Sequence, residues 1–389
     1  ETAASPQPTA EPSSANTGQT TDTDTIPGRI AFIGSNGQLG TVNPNGEEMR
    51  FLTNSGIYQF PAWSPTTDQI AIIGSNSEGT GVFVTDDSDS NSLLPLYSQT
   101  SPIYLYWSPN GDNVSFIAQH PEGLALHLAP ADGAADTTIL STGQPLYWQW
   151  LPDNQQAVTH VGGEELAYVD VEGNIDALGF GQGGIFQAPA LSPSGQFFAF
   201  SQGEDVNNLS IVVREREANE PLYEQPHSGT LAMGWSPTAD QLAYISPAEN
   251  RPSFFGPLRL FDAENGQSDV IVSSNVLMFF WSPDGRYIAY ITLRDSDAFQ
   301  AQANKMRSSK PALQDAERPV FTLFVHDVEN NASLPLYSFE PTLLFITQFL
   351  PFFDQYAYSH RIWSPDSRHL VLPVRTNDEV SEIIILSLD

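Results

Sequence analysis

The hydrophobic and polar positions of this chain repeat in one short pattern. An apolar run ends in a tryptophan, a Ser-Pro pair and a polar turn follow, and a second apolar run begins after the turn. Five full copies end at Trp63, Trp107, Trp235, Trp281 and Trp363. Short apolar runs bounded by turn residues are typical of buried β-strands. The pattern therefore predicts strand–turn–strand elements along most of the chain.

Two weaker copies lie at Trp150 and Leu191, and they complete a regular series. Successive copies are 41–46 residues apart, except for a gap of 82 residues before Trp363. A fixed period of this length indicates a repeat architecture. Each repeat contains two further strand-like runs, such as 321–325 and 334–338. Four strands in about 40–45 residues is the size of a propeller blade.

The sequence Trp-Ser-Pro-Asp-Gly followed by a short apolar strand, as after Trp281, resembles the repeats of TolB-type and tricorn-type β-propellers. The resemblance covers about residues 28–389. It implies an all-β, WD40-like fold. That repeat family serves protein docking, peptidase gating and ligand binding, so the resemblance does not specify the function.

We predict one propeller domain over residues 28–389, with insertions at 294–319 and 341–358. Seven four-stranded blades are expected, with eight as the alternative. Residues 30–52 look like the second to fourth strands of a blade, and the C-terminus looks like the first to third strands. We therefore expect a ring closed by the terminal strands, in which an N-terminal strand completes the last blade. Residues 1–27 are rich in Pro, Ser and Thr, which predicts a disordered tether behind an export signal or lipid anchor, or alternatively a ragged terminus.

Composition limits the possible partners. The chain has 46 acidic and 15 basic residues, for a net charge of −31. This balance argues against nucleic-acid partners and anionic membrane surfaces. The absence of cysteine excludes disulfides and thiolate chemistry, and no apolar run reaches the roughly 18 residues of a transmembrane helix. We predict an extracytoplasmic protein, which is periplasmic, cell-surface or secreted, with a salt-adapted source as another explanation of the acidity.

The repeated tryptophans are predicted to be structural. A residue that recurs once per blade at one position usually packs between blades. This prediction covers six residues: Trp63, Trp107, Trp150, Trp235, Trp281 and Trp363.

Residues that break the repeat are the candidate binding residues. Tyr104, Tyr147, Trp148, His360 and Arg361 are expected to converge on one sector of the channel rim. Aromatic surfaces beside a cation suit a carboxylate-bearing peptide or a sugar. Ordinary packing between blades is the alternative for the aromatic residues.

The two insertions provide further candidates. Lys305, Arg307 and Lys310 lie in the first insertion, where they form a basic cluster for an acidic partner or a solvated loop. The second insertion is rich in Leu and Phe, so it forms an exposed partner patch or covers the ring closure. The acidic run 86–91 lacks the glycine and closing glutamate of a calcium loop, which favours a solvated turn.

The sequence predicts no catalytic residue, metal or cofactor, because it has no G-x-S-x-G motif and no H-x-x-x-H spacing. The leading prediction is a non-catalytic extracytoplasmic propeller that binds a protein or peptide partner on one face. The alternatives are a propeller that binds a small ligand or glycan, and a hydrolase or lyase with a site in the channel.

Overall fold

The structure is a computed structural model of the 389-residue chain. It describes residues 26–388 except 89–91, 163–165, 180–187, 204–208, 217, 219, 230, 247–254, 295–318 and 377–380. Lys305, Arg307 and Lys310 therefore lie outside the described residues, as does most of the first insertion.

The chain begins with a small N-terminal sheet, and four four-stranded antiparallel sheets follow in sequence order. The N-terminal sheet consists of β1 (Ile30–Ile33), β2 (Leu39–Val42) and β3 (Arg50–Phe51). The first repeat unit is β4 (Ile57–Trp63), β5 (Gln69–Asn76), β6 (Gly79–Asp86) and β7 (Leu94–Tyr97). The second is β8 (Pro102–Trp107), β9 (Asn113–His120), β10 (Gly123–Pro130) and β11 (Thr138–Gly143). The third is β12 (Leu146–Trp150), β13 (Gln156–Val161), β14 (Leu166–Asp170) and β15 (Ile175–Ala177), and the fourth is β16 (Ala190–Leu191), β17 (Phe197–Gly203), β18 (Leu209–Glu215) and β19 (Tyr223–His227).

The last three units share a nine-stranded sheet, because two long strands pass from one unit into the next. The strands are β20 (Ala232–Trp235), β21 (Gln241–Ile245), β22 (Gly256–Asp262), β23 (Gln267–Trp281), β24 (Tyr287–Leu293), β25 (Phe321–Asp327), β26 (Ala332–Pro341), β27 (His369–Arg375) and β28 (Ser381–Ser387). The first part of β23 pairs with β22 as the fourth strand of the fifth unit, and its end pairs with β24 as the first strand of the sixth. In the same way β26 ends the sixth unit and begins the seventh.

The motif tryptophans join each unit to the one before it. The indole Nε1 of Trp107 donates to the carbonyl of Ala62, the residue before Trp63, at 2.9 Å. Trp281 Nε1 donates to the equivalent carbonyl of Gly234 at 3.0 Å. The same bond is made by Trp235 to Ala190 and by Trp363 to Phe280. The side chain therefore combines a large apolar surface with a donor that satisfies a buried backbone acceptor.

Two units make this connection by other groups. Trp150 Nε1 donates to Ser115 Oγ at 2.9 Å, and that hydroxyl donates to the carbonyl of Tyr106. The fourth unit has Leu191 in place of tryptophan, and there the amide side chain of Gln149 bonds both the N–H and the carbonyl of Leu191. The degenerate copies thus keep the contact between units while the motif changes.

The N-terminal segment, residues 28–51, contacts both the first and the last repeat units. Gly111 and Gly285, in the motif turns, have positive φ and lie so close to the Ser-Pro turn of the preceding unit that a β-carbon would clash with Thr66 or Thr238. Gly28 also has positive φ, and a β-carbon there would lie 3.4 Å from Pro365 of the seventh unit. On the other side, β1 packs against β4.

The all-β architecture with antiparallel sheets is confirmed. The expected strand pairing between the termini is not seen among the described strands, where β1, β2 and β3 pair only with each other and β28 pairs only with β27. The number of blades stays a prediction.

The prediction of a solvated turn at 86–91 is wrong for Asp87. Its side chain is only 7% exposed and lies 2.6 Å from Arg29 Nε and 2.8 Å from Arg50 Nη2. Thr41 also donates a hydroxyl hydrogen bond to Asp87. Thr41 and Arg50 lie in the N-terminal sheet, and Arg29 directly precedes its first strand. The Asp87 carboxylate therefore fixes that sheet to the first unit.

Candidate binding site

The inner strand of the seventh unit is interrupted by a helical insertion, residues 342–361. The strand pairs with β27 through Glu340 and Pro341, and again through Trp363 after the insertion. Between these points lie a π-helical turn (Phe345–Phe349), a 3-10 turn (Leu350–Phe352) and an α-helical turn (Phe353–Tyr356). The chain therefore leaves the strand, crosses other units and returns to the same strand.

The helical insertion packs on the inner strands of several units. Tyr356 stacks on Phe60 of β4 with ring centroids 5.5 Å apart, and it lies edge-on to Tyr104 of β8 at 5.3 Å. Phe353 contacts Phe279 of β23 at 5.5 Å. Because these strands belong to the first, second and sixth units, the insertion lies across inner strands from both ends of the series of units.

Three predicted binding residues lie beneath this insertion. Tyr104 and Trp148 are in contact at 5.5 Å, and Tyr147 lies beside Trp148 at 6.5 Å. None is more than 4% exposed, and the Tyr104 hydroxyl donates to the carbonyl of Gln355 in the insertion. Burial raises the pKa of Tyr104 and of Tyr147, so both stay neutral. The structure brings the three side chains together, and the chain itself occupies the surface expected to receive a ligand.

His360 is also part of this aromatic packing. Its ring lies 5.2 Å from Tyr356 and 5.9 Å from Phe60, and its Nδ1 is 2.7 Å from Ser359 Oγ. Nε2 is buried and has no hydrogen-bond partner among the described residues. Burial lowers the pKa of His360 to about 4, so the imidazole is neutral near pH 7. Of the five residues predicted to converge at the channel rim, Arg361 is therefore the one that carries a positive charge.

A cavity of about 280 Å³ lies at the end of the inner strands where the Ser-Pro pairs meet. We call this end the Ser-Pro end. One side of the cavity is formed by the motif residues of the first four units, and the other side by Tyr358 and Arg361 of the helical insertion. Its lining residues are Trp63, Pro65, Tyr106, Trp107, Ser108, Pro109, Gln149, Trp150, Pro152, Leu191, Ser192, Pro193, Tyr358 and Arg361.

Arg361 is the charged group of this cavity. Its side chain lines the cavity and is exposed to solvent. Burial lowers the pKa of its guanidinium. Among the residues that the structure describes, it has no hydrogen-bond or ion-pair partner. A guanidinium carries five N–H donors in a planar arrangement that matches a carboxylate, so the cavity presents free donors to an anion.

Asp354 lies in the same insertion and has an altered pKa. Burial raises the pKa of its carboxyl to about 6, although the Gln355 N–H donates to it at 3.0 Å. The folded state therefore binds a proton that the unfolded state releases near pH 4. The contribution of this group to the free energy of unfolding therefore rises as pH falls from 6 to 4. At pH 7 the buried carboxylate lowers the free energy of unfolding.

Asp354→Asn is expected to raise the free energy of unfolding at pH 7, because the amide removes the cost of a buried charge. The difference from the wild type should shrink as pH falls from 7 and be small at pH 4, where the folded-state carboxyl is protonated and the unfolded one is about half protonated. Chemical denaturation at pH 4, 5, 6 and 7 measures this difference. Glu329→Gln removes one negative charge from an exposed turn and controls for net charge. A wild-type and Asp354→Asn pair that differ equally at every pH would contradict the assignment.

Within the described residues, no group of three or more His, Asp or Glu side chains is placed to hold a metal ion. No helix in that part of the chain is both long and apolar enough to span a bilayer. The cavity lining contains neither a carboxylate nor an imidazole.

The chain was compared with known proteins. A scan of protein-family models and a search of curated proteins found no match. Among solved structures, the dihydro-heme d1 dehydrogenase NirN, determined in complex with DHE, aligns with 94% of this chain and 72% of its own, at 12% identity and a TM-score of 0.56. A eukaryotic initiation factor aligns over 92% of both chains, at 15% identity and a TM-score of 0.54. TolB from Acinetobacter baumannii aligns with 77% of this chain and 59% of its own, at 14% identity and a TM-score of 0.40.

At 12–15% identity these similarities concern the fold and not the activity. The long alignments with the first two structures agree with the order of four-stranded antiparallel sheets described above. The chain is therefore a β-propeller.

Proposed function

We propose that this protein is a non-catalytic, extracytoplasmic binding module that holds a protein or peptide partner through a carboxylate at the Ser-Pro end of the propeller. The observation that carries the proposal is the position of Arg361. It is a cation without a counter-ion among the described residues, in a cavity with aromatic walls.

The charge of the protein limits the kind of partner. A guanidinium makes its strongest hydrogen bonds with an anion, and Arg361 has no such partner among the described residues. The chain as a whole carries a net charge of −31, so a partner that is acidic throughout is repelled. A single carboxylate on a neutral or basic segment avoids that repulsion. The C-terminal carboxylate of a peptide has this character.

The size and walls of the cavity also favour a chain end. Its volume of about 280 Å³ suits one or two residues and not a folded element. The rings of Trp63, Trp107 and Trp150 and four prolines form the walls. Apolar walls around one guanidinium favour a terminal residue with an apolar side chain and a free carboxylate.

The same lining offers little to the other predicted functions. A hydrolase or lyase site requires a general acid and base within reach of the substrate, and the cavity lining provides neither a carboxylate nor an imidazole. For a glycan, the indole donors of Trp107 and Trp150 are already bonded inside the protein. Those two tryptophans therefore offer ring surface without a hydrogen bond.

Arg361→Gln is expected to weaken binding of free-acid peptides by about 10–100-fold, because a hydrogen bond to a charged group contributes about 1.5–3 kcal/mol. The probe is a random pentapeptide library with neutral or basic residues, synthesised once with free C-terminal acids and once with C-terminal amides. Peptides captured by the wild-type protein are measured by calorimetry. Arg368→Gln removes an exposed cation from the same unit outside the cavity, and should leave the affinity unchanged.

Equal binding of acids and amides would contradict the proposal, as would an unchanged affinity in Arg361→Gln. Binding on a glycan array that Arg361→Gln does not affect would favour the glycan alternative. The proposed location rests on the acidic composition and on the tether-like sequence before residue 28. Recovery of the protein in the cytoplasmic fraction of its source cells would contradict that location.

We also infer that the ring contains eight sheets, so that the N-terminal sheet stands between the seventh and first units. Support comes from Gly28, which lies against Pro365 as the motif glycines lie against the preceding unit. The packing of β1 on β4 supports the other side of the sheet. This favours the eight-blade alternative over the seven blades expected from the motif count.

A further inference from the structure

The strand β1 is the counterpart of the second strand of a repeat unit. Residues 30–36 read Ile-Ala-Phe-Ile-Gly-Ser-Asn, and residues 70–76 in β5 read Ile-Ala-Ile-Ile-Gly-Ser-Asn. The two segments differ at one position. In the first unit β5 lies between β4 and β6. Among the described strands, β1 pairs with β2 alone, so its other edge has no partner strand.

The backbone groups of β1 that face this open edge are identified by the hairpin register. Gly34 N–H donates to the carbonyl of Gln38, and hydrogen-bonded pairs alternate along an antiparallel ladder. Ile30 and Phe32 therefore bond β2, whereas the N–H and C=O of Ala31 and Ile33 point to the open edge. All four residues of β1 are half-buried, whereas residues 70–73 in β5 are fully buried.

An indole donor beside this edge lacks its usual acceptor. Trp107 donates to the carbonyl of Ala62, which lies opposite Ala71 in the β4–β5 pair. The equivalent acceptor for Trp63 would be the carbonyl of a strand residue opposite Ala31. Trp63 Nε1 is buried and has no hydrogen-bond partner in the described part of the chain. Such a group favours a ligand that supplies a carbonyl oxygen.

We propose that the open edge of β1 accepts an extended segment of a partner protein as an added antiparallel strand. Main-chain bonds to Ala31 and Ile33 would hold the segment, and its carbonyl opposite Ala31 would accept the Trp63 indole N–H. This is recognition by strand addition, which an unpaired sheet edge permits. The site shares Trp63 with the lining of the Arg361 cavity, but it needs neither Arg361 nor a carboxylate.

The near identity of β1 and β5 indicates which segment fits. The strand that pairs with β5 is β4, with the sequence Ile-Tyr-Gln-Phe-Pro-Ala-Trp. In the β4–β5 pair, Ala62 lies opposite Ala71 and Trp63 lies opposite Ile70. A partner strand should therefore have a small residue opposite Ala31 and an aromatic residue opposite Ile30. The chain's own residues at this spacing are Asp22 and Thr23. Neither Asp22 nor Thr23 matches the pattern of a small apolar residue followed by an aromatic one, so the sequence favours a partner segment.

The test uses the full chain and the β4 heptapeptide, acetylated and amidated so that it has no terminal carboxylate. Binding should slow amide exchange at Ala31 and Ile33 by at least about 10-fold, as NMR measures, because those N–H groups become hydrogen-bonded. Ile30 and Phe32, which already bond β2, should not change. The Arg361→Gln variant should bind this peptide as the wild type does. The result of this test therefore does not depend on whether the carboxylate proposal is correct.

A matched peptide and a protein variant make the test specific. N-methylation of the peptide alanine removes the N–H that would donate to Ala31, and should reduce the affinity at least about 10-fold. Trp63→Phe removes the indole donor and should reduce it about 2–10-fold, the range expected for one hydrogen bond. Equal binding of the methylated peptide would overturn the proposal. Slow amide exchange at Ala31 and Ile33 before peptide is added would also overturn the proposal, because the edge would already be paired within the chain. If that protection increases with protein concentration, the edge is paired with a second copy of the chain.

Discussion

Trp107→Ala is expected to lower the free energy of unfolding by about 3–5 kcal/mol, the range for removing a large buried aromatic side chain. Trp107 is 6% exposed and packs in one cluster with Ala62 and Val84 of the first unit and Phe116 of its own. The substitution opens a cavity between two units and leaves the carbonyl of Ala62 without its indole donor. Chemical denaturation followed by far-UV circular dichroism measures the change.

A pair of smaller substitutions separates the apolar part of this effect from the hydrogen bond. Trp107→Phe removes a ring and an N–H that is bonded to Ala62, whereas Trp63→Phe removes a ring and an N–H without an acceptor among the described residues. The first should cost about 1 kcal/mol more than the second, the usual net value of one hydrogen bond. Equal costs would show that the indole bond between units contributes nothing to stability.

Asp87→Asn is expected to lower the free energy of unfolding by about 2–3 kcal/mol. The amide keeps the shape of the side chain but removes the carboxylate that Arg29 and Arg50 share, and the nearby Glu48, 3.6 Å from Arg29, is largely exposed. Removing one partner of a fully buried ion pair costs about 3–5 kcal/mol. The Arg29 and Arg50 side chains are 17% and 32% exposed, so water and salt recover part of that loss.

The control for this variant is Glu47→Gln. It also removes one negative charge near the N-terminal sheet, but Glu47 is exposed and bonds only to Asn45 among the described side chains. Its effect should stay within about 0.5 kcal/mol. If Asp87→Asn is as mild as Glu47→Gln, then the ion pairs do not fix the N-terminal sheet to the first unit.

The repeated part of the fold could be predicted from the sequence, because its elements depend on local patterns. Each motif tryptophan ends an inner strand or, at Trp363, bridges to the next strand, and each Ser-Pro pair follows at the strand end. Apolar alternation and turn residues determine such elements within a few positions. The same patterns do not reveal that β23 and β26 each continue from one unit into the next. That continuity depends on how neighbouring sheets are placed.

The role of Asp87 could not be read from its surroundings in the sequence. Acidic residues on both sides favour a solvated turn, and its cation partners lie 58 and 37 residues earlier, at Arg29 and Arg50. One signal was present: the same position is apolar in five of the other six units, as in Ala131, Val171 and Ala263, and Arg216 of the fourth unit is the other charged residue there. A charged residue where most units have apolar ones indicates a specific partner.

The candidate site was predicted in part. Arg361 was singled out because it breaks the repeat, and the structure gives it a cavity. The aromatic residues singled out with it lie under the helical insertion, since a run of Leu and Phe is equally suited to a partner or to the chain's own core. Tyr358 and Gln149 were not predicted as lining residues. The approach of Tyr358 to the motif turns of four other units depends on the path of the insertion across the inner strands.

The indole bonds all point the same way along the chain, and this gives assembly an order. Trp107, Trp235, Trp281 and Trp363 each donate to a strand that the ribosome has already made, from Trp107 with Ala62 to Trp363 with Phe280. A newly synthesised unit therefore finds its docking surface in place and need not wait for sequence still to come. The contact between Gly28 and Pro365 is the exception, because its two halves are made at opposite ends of synthesis. Growth of the structure can follow translation unit by unit, and the contact between the N-terminal segment and the seventh unit forms last.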